Sequence, residues 1–114
     1  MSKAPRRWLV VGSGAIAARH VACVTQLLSN VSFARLSSSG RSATFPAIDD
    51  MVDEVFDSWD TALAWNPEAA IVANATSGHI TALQKLLTFG IPVFVEKPLA
   101  RNPHEAGRIV ELAK

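Results

Sequence analysis

Short apolar runs alternate along the chain with longer stretches whose apolar residues recur at helical spacing. The run Trp8-Leu9-Val10-Val11 is continuous rather than alternating and stops at Gly12, which predicts a short strand buried on both faces. Ile16, Val21, Val24, Leu27 and Leu28 then make an apolar stripe that predicts a helix over about 15–28, ended by Ser29-Asn30. Residues 31–36 read as a second strand. Residues 37–45 are polar, rich in Ser and Gly, and predict loop for at least part of their length. The stretch 46–54 is acidic and hard to read, with Pro46 excluding an early helix interior. Val55-Phe56 reads as a brief third strand.

Asp57 or Ser58 can cap a short helix carrying Trp59, Leu63 and Trp65, closed by Asn66-Pro67. Residues 69–74 predict another buried strand. Ser77 can cap a helix whose inner face is Ile80, Leu83, Leu86 and Leu87, with Gly90 as a left-handed stop. Residues 93–95 predict the last strand, and Asn102-Pro103 opens a final helix through Leu112. Strands alternating with helices through short connections imply an α/β fold, a parallel sheet wrapped by helices with right-handed crossovers. Trp59 and Trp65 are expected to pack in the core, and Cys23, inside the first helix, to be a small core residue.

Composition narrows the function classes. At 114 residues the chain is read as one domain, 1–114, able to bury a modest core. Lys+Arg 11 against Asp+Glu 10 gives a formal charge of +1, so no strongly basic face for nucleic acid or an anionic membrane is expected. A single cysteine excludes an internal disulfide and suits a reducing compartment. The apolar run after the basic N-terminus is too short for a signal peptide, so a cytoplasmic location is expected. No metal-ligating set is read.

Two motifs carry chemistry. Gly12-Ser13-Gly14-Ala15-Ile16-Ala17 fits G-x-G-x-x-G/A between a predicted strand and a predicted helix. Gly12 permits the tight turn, Gly14 lets backbone approach a pyrophosphate, and Ala17 allows helix and strand to pack closely. The N–H groups of Ser13, Ala15 and Ile16 with the positive helix end would hold the phosphates. That context predicts a Rossmann-type doubly wound sheet. A dinucleotide domain for NAD usually has an acid at the end of its second strand to accept from the ribose hydroxyls. Here that place holds Ser37, Ser38 and Ser39 followed by Arg41, which suits a 2′-phosphate and favours NADP over NAD. The second motif is Glu96-Lys97-Pro98, a lysine at the mouth of a strand with a proline denying further pairing.

With these motifs the chain resembles the N-terminal half of the Gfo/Idh/MocA oxidoreductases. The resemblance rests on Gly12-Ser13-Gly14-Ala15-Ile16-Ala17-Ala18-Arg19-His20, on Ile71-Val72-Ala73-Asn74-Ala75-Thr76-Ser77-Gly78-His79, and on Val93-Phe94-Val95-Glu96-Lys97-Pro98-Leu99-Ala100. It implies an NAD(P)-binding domain with Lys97 beside nicotinamide and substrate, orienting a substrate hydroxyl or assisting its proton transfer. Glu96 would position Lys97 or the cofactor. The family commonly has Thr-Pro where this chain has Asn74-Ala75. Asn74 can still hydrogen-bond a ribose or carboxamide from a strand end. His79 is read as a cofactor contact, against packing as the alternative, while His20 is expected to be structural and His104 solvated.

The resemblance further implies a parent oxidoreductase moving hydride between the nicotinamide and a sugar, cyclitol or similar small molecule. The family's second α+β domain, which covers the nicotinamide and chooses the substrate, is absent from these residues. The chain is therefore expected to be inactive alone; the competing reading is a non-catalytic nucleotide sensor, or a subunit completed by a partner chain.

Overall fold

The computed structural model describes residues 6–12, 14–37, 46–74, 78–96 and 102–113. Within them the apolar runs form strands β1 (Arg7–Val11), β2 (Ser32–Leu36), β3 (Glu54–Phe56), β4 (Ala69–Val72) and β5 (Val93–Val95). The amphipathic stretches form helices α1 (Ala15–Leu27), α3 (Trp59–Ala64), α4 (His79–Thr88) and α5 (Pro103–Ala113), and a single helical turn, α2 (Pro46–Asp49), forms where the sequence predicted no element, Pro46 standing at its first position. The strands pair in parallel in the order β3-β2-β1-β4-β5. Val11 faces Leu36 on one side and Val72 on the other, so the carboxyl ends of the central strands finish at one level.

Side-chain alternation divides the core into two layers. Leu9, Val11, Ala34, Leu36, Ala70 and Val72 face α3, α4 and α5, where they meet Ala62, Leu83, Leu86 and Ile109. Val10, Phe33 and Ile71 face the opposite way and meet Ala17 and Val21 of α1 and Ile48 of α2. Helices on both faces explain why β1 has no polar alternation, since Leu9, Val10 and Val11 all lie fully out of solvent. Burial of one such aliphatic side chain stabilises by about 1.5–3 kcal/mol.

Local punctuation acts where the residue types place it. Ser58 Oγ accepts from the Thr61 N–H at 3.3 Å, and Asn102 Oδ1 accepts from the Glu105 N–H at 2.9 Å. Asn30, Asn66 and Gly90, following α1, α3 and α4, all take positive φ. At the amino ends of the strands, Glu68 Oε1 accepts from the N–H groups of Arg6 and Arg7 at 3.1 and 3.2 Å. Those donors hold its carboxyl below the usual glutamate range, the Arg6 N–H most of all.

Several expectations are corrected. The inward face of α1 is Ala17 and Val21, whereas Ile16 is exposed and Leu27 is 81% exposed. At 3.6 residues per turn Ile16 and Leu27 fall off the face of α1 that carries Ala17 and Val21. Cys23, in mid-helix, falls off that face too and is exposed rather than a core residue. The cap of α4 is Gly78, with Ser77 outside the described residues. A larger surprise is Arg35 on β2, 1% exposed within an otherwise apolar stretch. Its Nε donates to Asp49 Oδ1 at 2.5 Å and its Nη2 to Asp49 Oδ2 at 3.2 Å, tying α2 to the sheet. Among the described residues no helix is long and apolar enough to cross a membrane.

Candidate functional site

The turn from β1 to α1 is wedged between the ends of its two neighbouring strands. Gly12 N–H donates to Leu36 O at 3.0 Å, and Ala73 N–H donates to Val11 O at 2.8 Å. Gly12 has φ +131°, and a Cβ there would lie 2.8 Å from both the carbonyl carbon and the oxygen of Ala73. Both the conformation and the space therefore demand glycine. This is also where the strand order reverses, since the chain leaves β1 for β2 on one side and reaches β4 on the other. In open α/β sheets that reversal makes the ligand crevice.

Gly14 is the N-cap of α1, and a Cβ on it would meet nothing within 4 Å. Among the described residues no side chain caps this helix, and its first turn holds no acid. The leading N–H groups and the positive helix end are left for an anion from outside the helix. Gly14, Ala15 and Ile16 are exposed around this terminus, while Ala17 is buried against the sheet. Gly12 thus makes the tight turn, Gly14 leaves the start of the helix open and Ala17 packs against the sheet; Ser13 lies outside the described residues.

On the β2 side, Ser37 follows the strand and is buried, its N–H donating to Phe56 O at 3.3 Å. Neither Leu36, the last residue of β2, nor Ser37 after it carries a carboxylate. Ser38, Ser39 and Arg41 lie outside the described residues.

On the β4 side, both polar atoms of the Asn74 amide are buried and have no hydrogen-bond partner among the described residues. An orphaned buried amide costs about 1–3 kcal/mol, so this one is available to a hydrogen-bonding group from outside the described residues. Gly78 makes room for it, because a Cβ there would lie 2.6 Å from Asn74 Nδ2. His79 is placed behind this loop. It is 1% exposed and its Nε2 donates to Asn74 O at 3.1 Å, which makes it a support for Asn74 instead of a group open to the crevice. Ala75 lies outside the described residues.

The β5 side ends at Glu96, whose N–H donates to Val72 O at 2.9 Å. Its Oε2 hydrogen-bonds Nε2 of His20 on α1. Lys97, the expected catalytic residue, lies outside the described residues. The structure thus gathers Gly12, Gly14, Asn74 and Glu96 around one end of the sheet, with Ser37 at its β2 flank. His20 was not expected as the partner of Glu96. Its place at the end of the first motif was the only signal, since nothing local links it to a residue 76 positions on.

The family model described as an oxidoreductase family with an NAD-binding Rossmann fold matches residues 6–114. The inositol 2-dehydrogenase of Leifsonia xyli is 33% identical over 106 residues, covering 90% of this chain and 31% of the relative. That of Acidiphilium cryptum is 30% identical over 105 residues, again 90% of this chain and 31% of the relative. The chain therefore spans less than a third of these relatives' length. A crystal structure of myo-inositol dehydrogenase from Lactobacillus casei, in complex with NAD(H) and myo-inositol, superposes with a TM-score of 0.76. It is 28% identical and covers 94% of this chain and 32% of that one. The WlbA dehydrogenase from Chromobacterium violaceum shares the fold at a TM-score of 0.82 with 20% identity, over 99% of this chain and 33% of that one. Taken with the glycine turn, the uncapped helix and the strand order, this match shows that the chain belongs to the Gfo/Idh/MocA oxidoreductase family, as its NAD-binding Rossmann domain.

Proposed function

We propose that this chain is the cofactor-binding part of an oxidoreductase that moves hydride between a nicotinamide dinucleotide, with NADP favoured, and a hydroxyl or carbonyl of a sugar, cyclitol or similar small molecule. The observation that carries the reading is the buried amide of Asn74, unpartnered among the described residues, beside a start of α1 that none of those residues caps with its side chain. One is a ready donor and acceptor for a ribose or carboxamide, the other a ready site for a pyrophosphate. Gly12 and Gly14 supply the close approach, and His79 holds the Asn74 backbone. A bound nicotinamide supplies hydride acceptance or donation.

The protein's own contribution at the reacting end is assigned to Lys97, which would orient a substrate hydroxyl and carry its proton. Ser37 in place of an acid after β2, with Ser38, Ser39 and Arg41 following, supports the 2′-phosphate. We place the parent enzyme in the cytoplasm and assign substrate selection to residues beyond these, so the chain should not turn over substrate alone. Isothermal titration of the chain with NADPH and NADH tests the cofactor reading. Tighter binding of NADPH is expected; tighter binding of NADH overturns the NADP preference, and binding of neither overturns the function. A dehydrogenase screen on the same sample should show no turnover.

A further inference from the structure

Two residues of one strand end meet a single imidazole. His20 lies edge-on to Phe94, ring centroids 5.2 Å apart and planes inclined at 62°, and its Nε2 hydrogen-bonds Glu96 Oε2. An ionised carboxylate can only accept, so Nε2 carries the proton and donates, whether the ring is neutral or charged. The Glu96 backbone is fixed separately, through its N–H to Val72 O. The carboxylate is thus held from the sheet at one end and from α1 at the other. Both side chains are only partly exposed, 22% for His20 and 28% for Glu96, so the charge is screened less than a surface charge would be.

Phosphates at the start of α1 and an adenosine over β2 leave the β4–β5 side of the crevice for the nicotinamide. There the two redox states differ in one electrostatic respect. The oxidised ring is a cation, the reduced ring is neutral, and the rest of the nucleotide is the same. A carboxylate fixed nearby separates them, whereas one swinging among solvated rotamers does so weakly. We propose that His20 is a positioning residue that holds the Glu96 carboxylate at the nicotinamide end of the crevice, where its charge sets the preference for oxidised over reduced nucleotide. This rests on the nucleotide-binding reading above and adds a redox preference to it.

The test is isothermal titration of the chain and its variants with NADP+, NADPH and 2′-phospho-ADP-ribose, the last lacking only the nicotinamide ring. Glu96→Gln removes the charge and should lower the ratio of NADP+ to NADPH affinity on the order of tenfold. His20→Ala should lower it several-fold, and His20→Gln, which can present an N–H in place of Nε2, should restore it. Affinity for 2′-phospho-ADP-ribose should stay unchanged throughout. An unaltered ratio in Glu96→Gln overturns the proposal, as does equal weakening of 2′-phospho-ADP-ribose and NADP+ in His20→Ala. If His20→Ala does not fold, Glu96→Gln and His20→Gln decide: a lost ratio in the first and a retained one in the second support it, any other pattern overturns it. Failure of the unaltered chain to bind any of the three nucleotides would defeat the nucleotide-binding reading itself; binding with an unresponsive ratio defeats only the role of the pair.

Discussion

A methyl group at Gly12 would press on the backbone of Ala73, and backbone cannot swing aside as a side chain can. Gly12→Ala must also hold φ +131°, so it should lose about 2 kcal/mol or more of stability in urea unfolding and abolish nucleotide binding. Asn74 has the opposite signature. Its amide is buried without partners among the described residues, so Asn74→Ala should leave the ligand-free protein as stable, or more stable by about 1 kcal/mol, while weakening nucleotide binding. A large loss of stability without ligand would show that the amide is paired in solution and not kept for a ligand. Glycine turns of this kind are legible in sequence because the demand falls on a single residue type. The orphaned amide was legible only as a polar residue at a strand end.

The elements are joined by contacts whose strength differs with burial. Arg35 and Asp49 tie α2 to β2 through two hydrogen bonds, and the guanidinium is almost wholly out of solvent. Asp49→Ala takes away its carboxylate and should cost about 3 kcal/mol in chemical denaturation, with much of that recovered in the double variant Arg35→Met, Asp49→Leu. The clasp of Glu68 on the N–H groups of Arg6 and Arg7 is exposed and should instead be seen through pH. Its folded carboxyl titrates below its unfolded one, so its contribution is complete above the ordinary glutamate range and is lost as pH falls through the folded value. The stability difference between the protein and Glu68→Gln should be constant near neutrality and shrink on acidification, as read by urea titrations across acid pH. A difference that grows on acidification would reverse this assignment.

At the scale of the whole molecule, the carboxyl ends of the strands form one surface, and a ligand there touches α1, β4 and β5 together. Binding to the folded state alone should add about 2.7 kcal/mol at a hundredfold excess over Kd, which for a domain of this size raises Tm on the order of 10 °C. Differential scanning fluorimetry with NADPH checks this, and no shift at saturating nucleotide would contradict the site.

Apart from α2, the order of strands and helices, with the caps at Ser58 and Asn102, the stops at Asn30, Asn66 and Gly90 and the turn at Gly12, was determined by the sequence itself. Each depends on residues a few positions apart, where backbone sterics and local hydrogen bonds dominate. Tertiary structure alone decided that Arg35 is buried against Asp49, that Cys23 and Leu27 face outward, that His79 stands behind Asn74 and that His20 holds Glu96. Those outcomes turn on how closely α1 and α2 seat on the sheet and on which strand ends lie side by side. Neither is carried by any short run of residues, because packing distance is set by side chains from several elements at once.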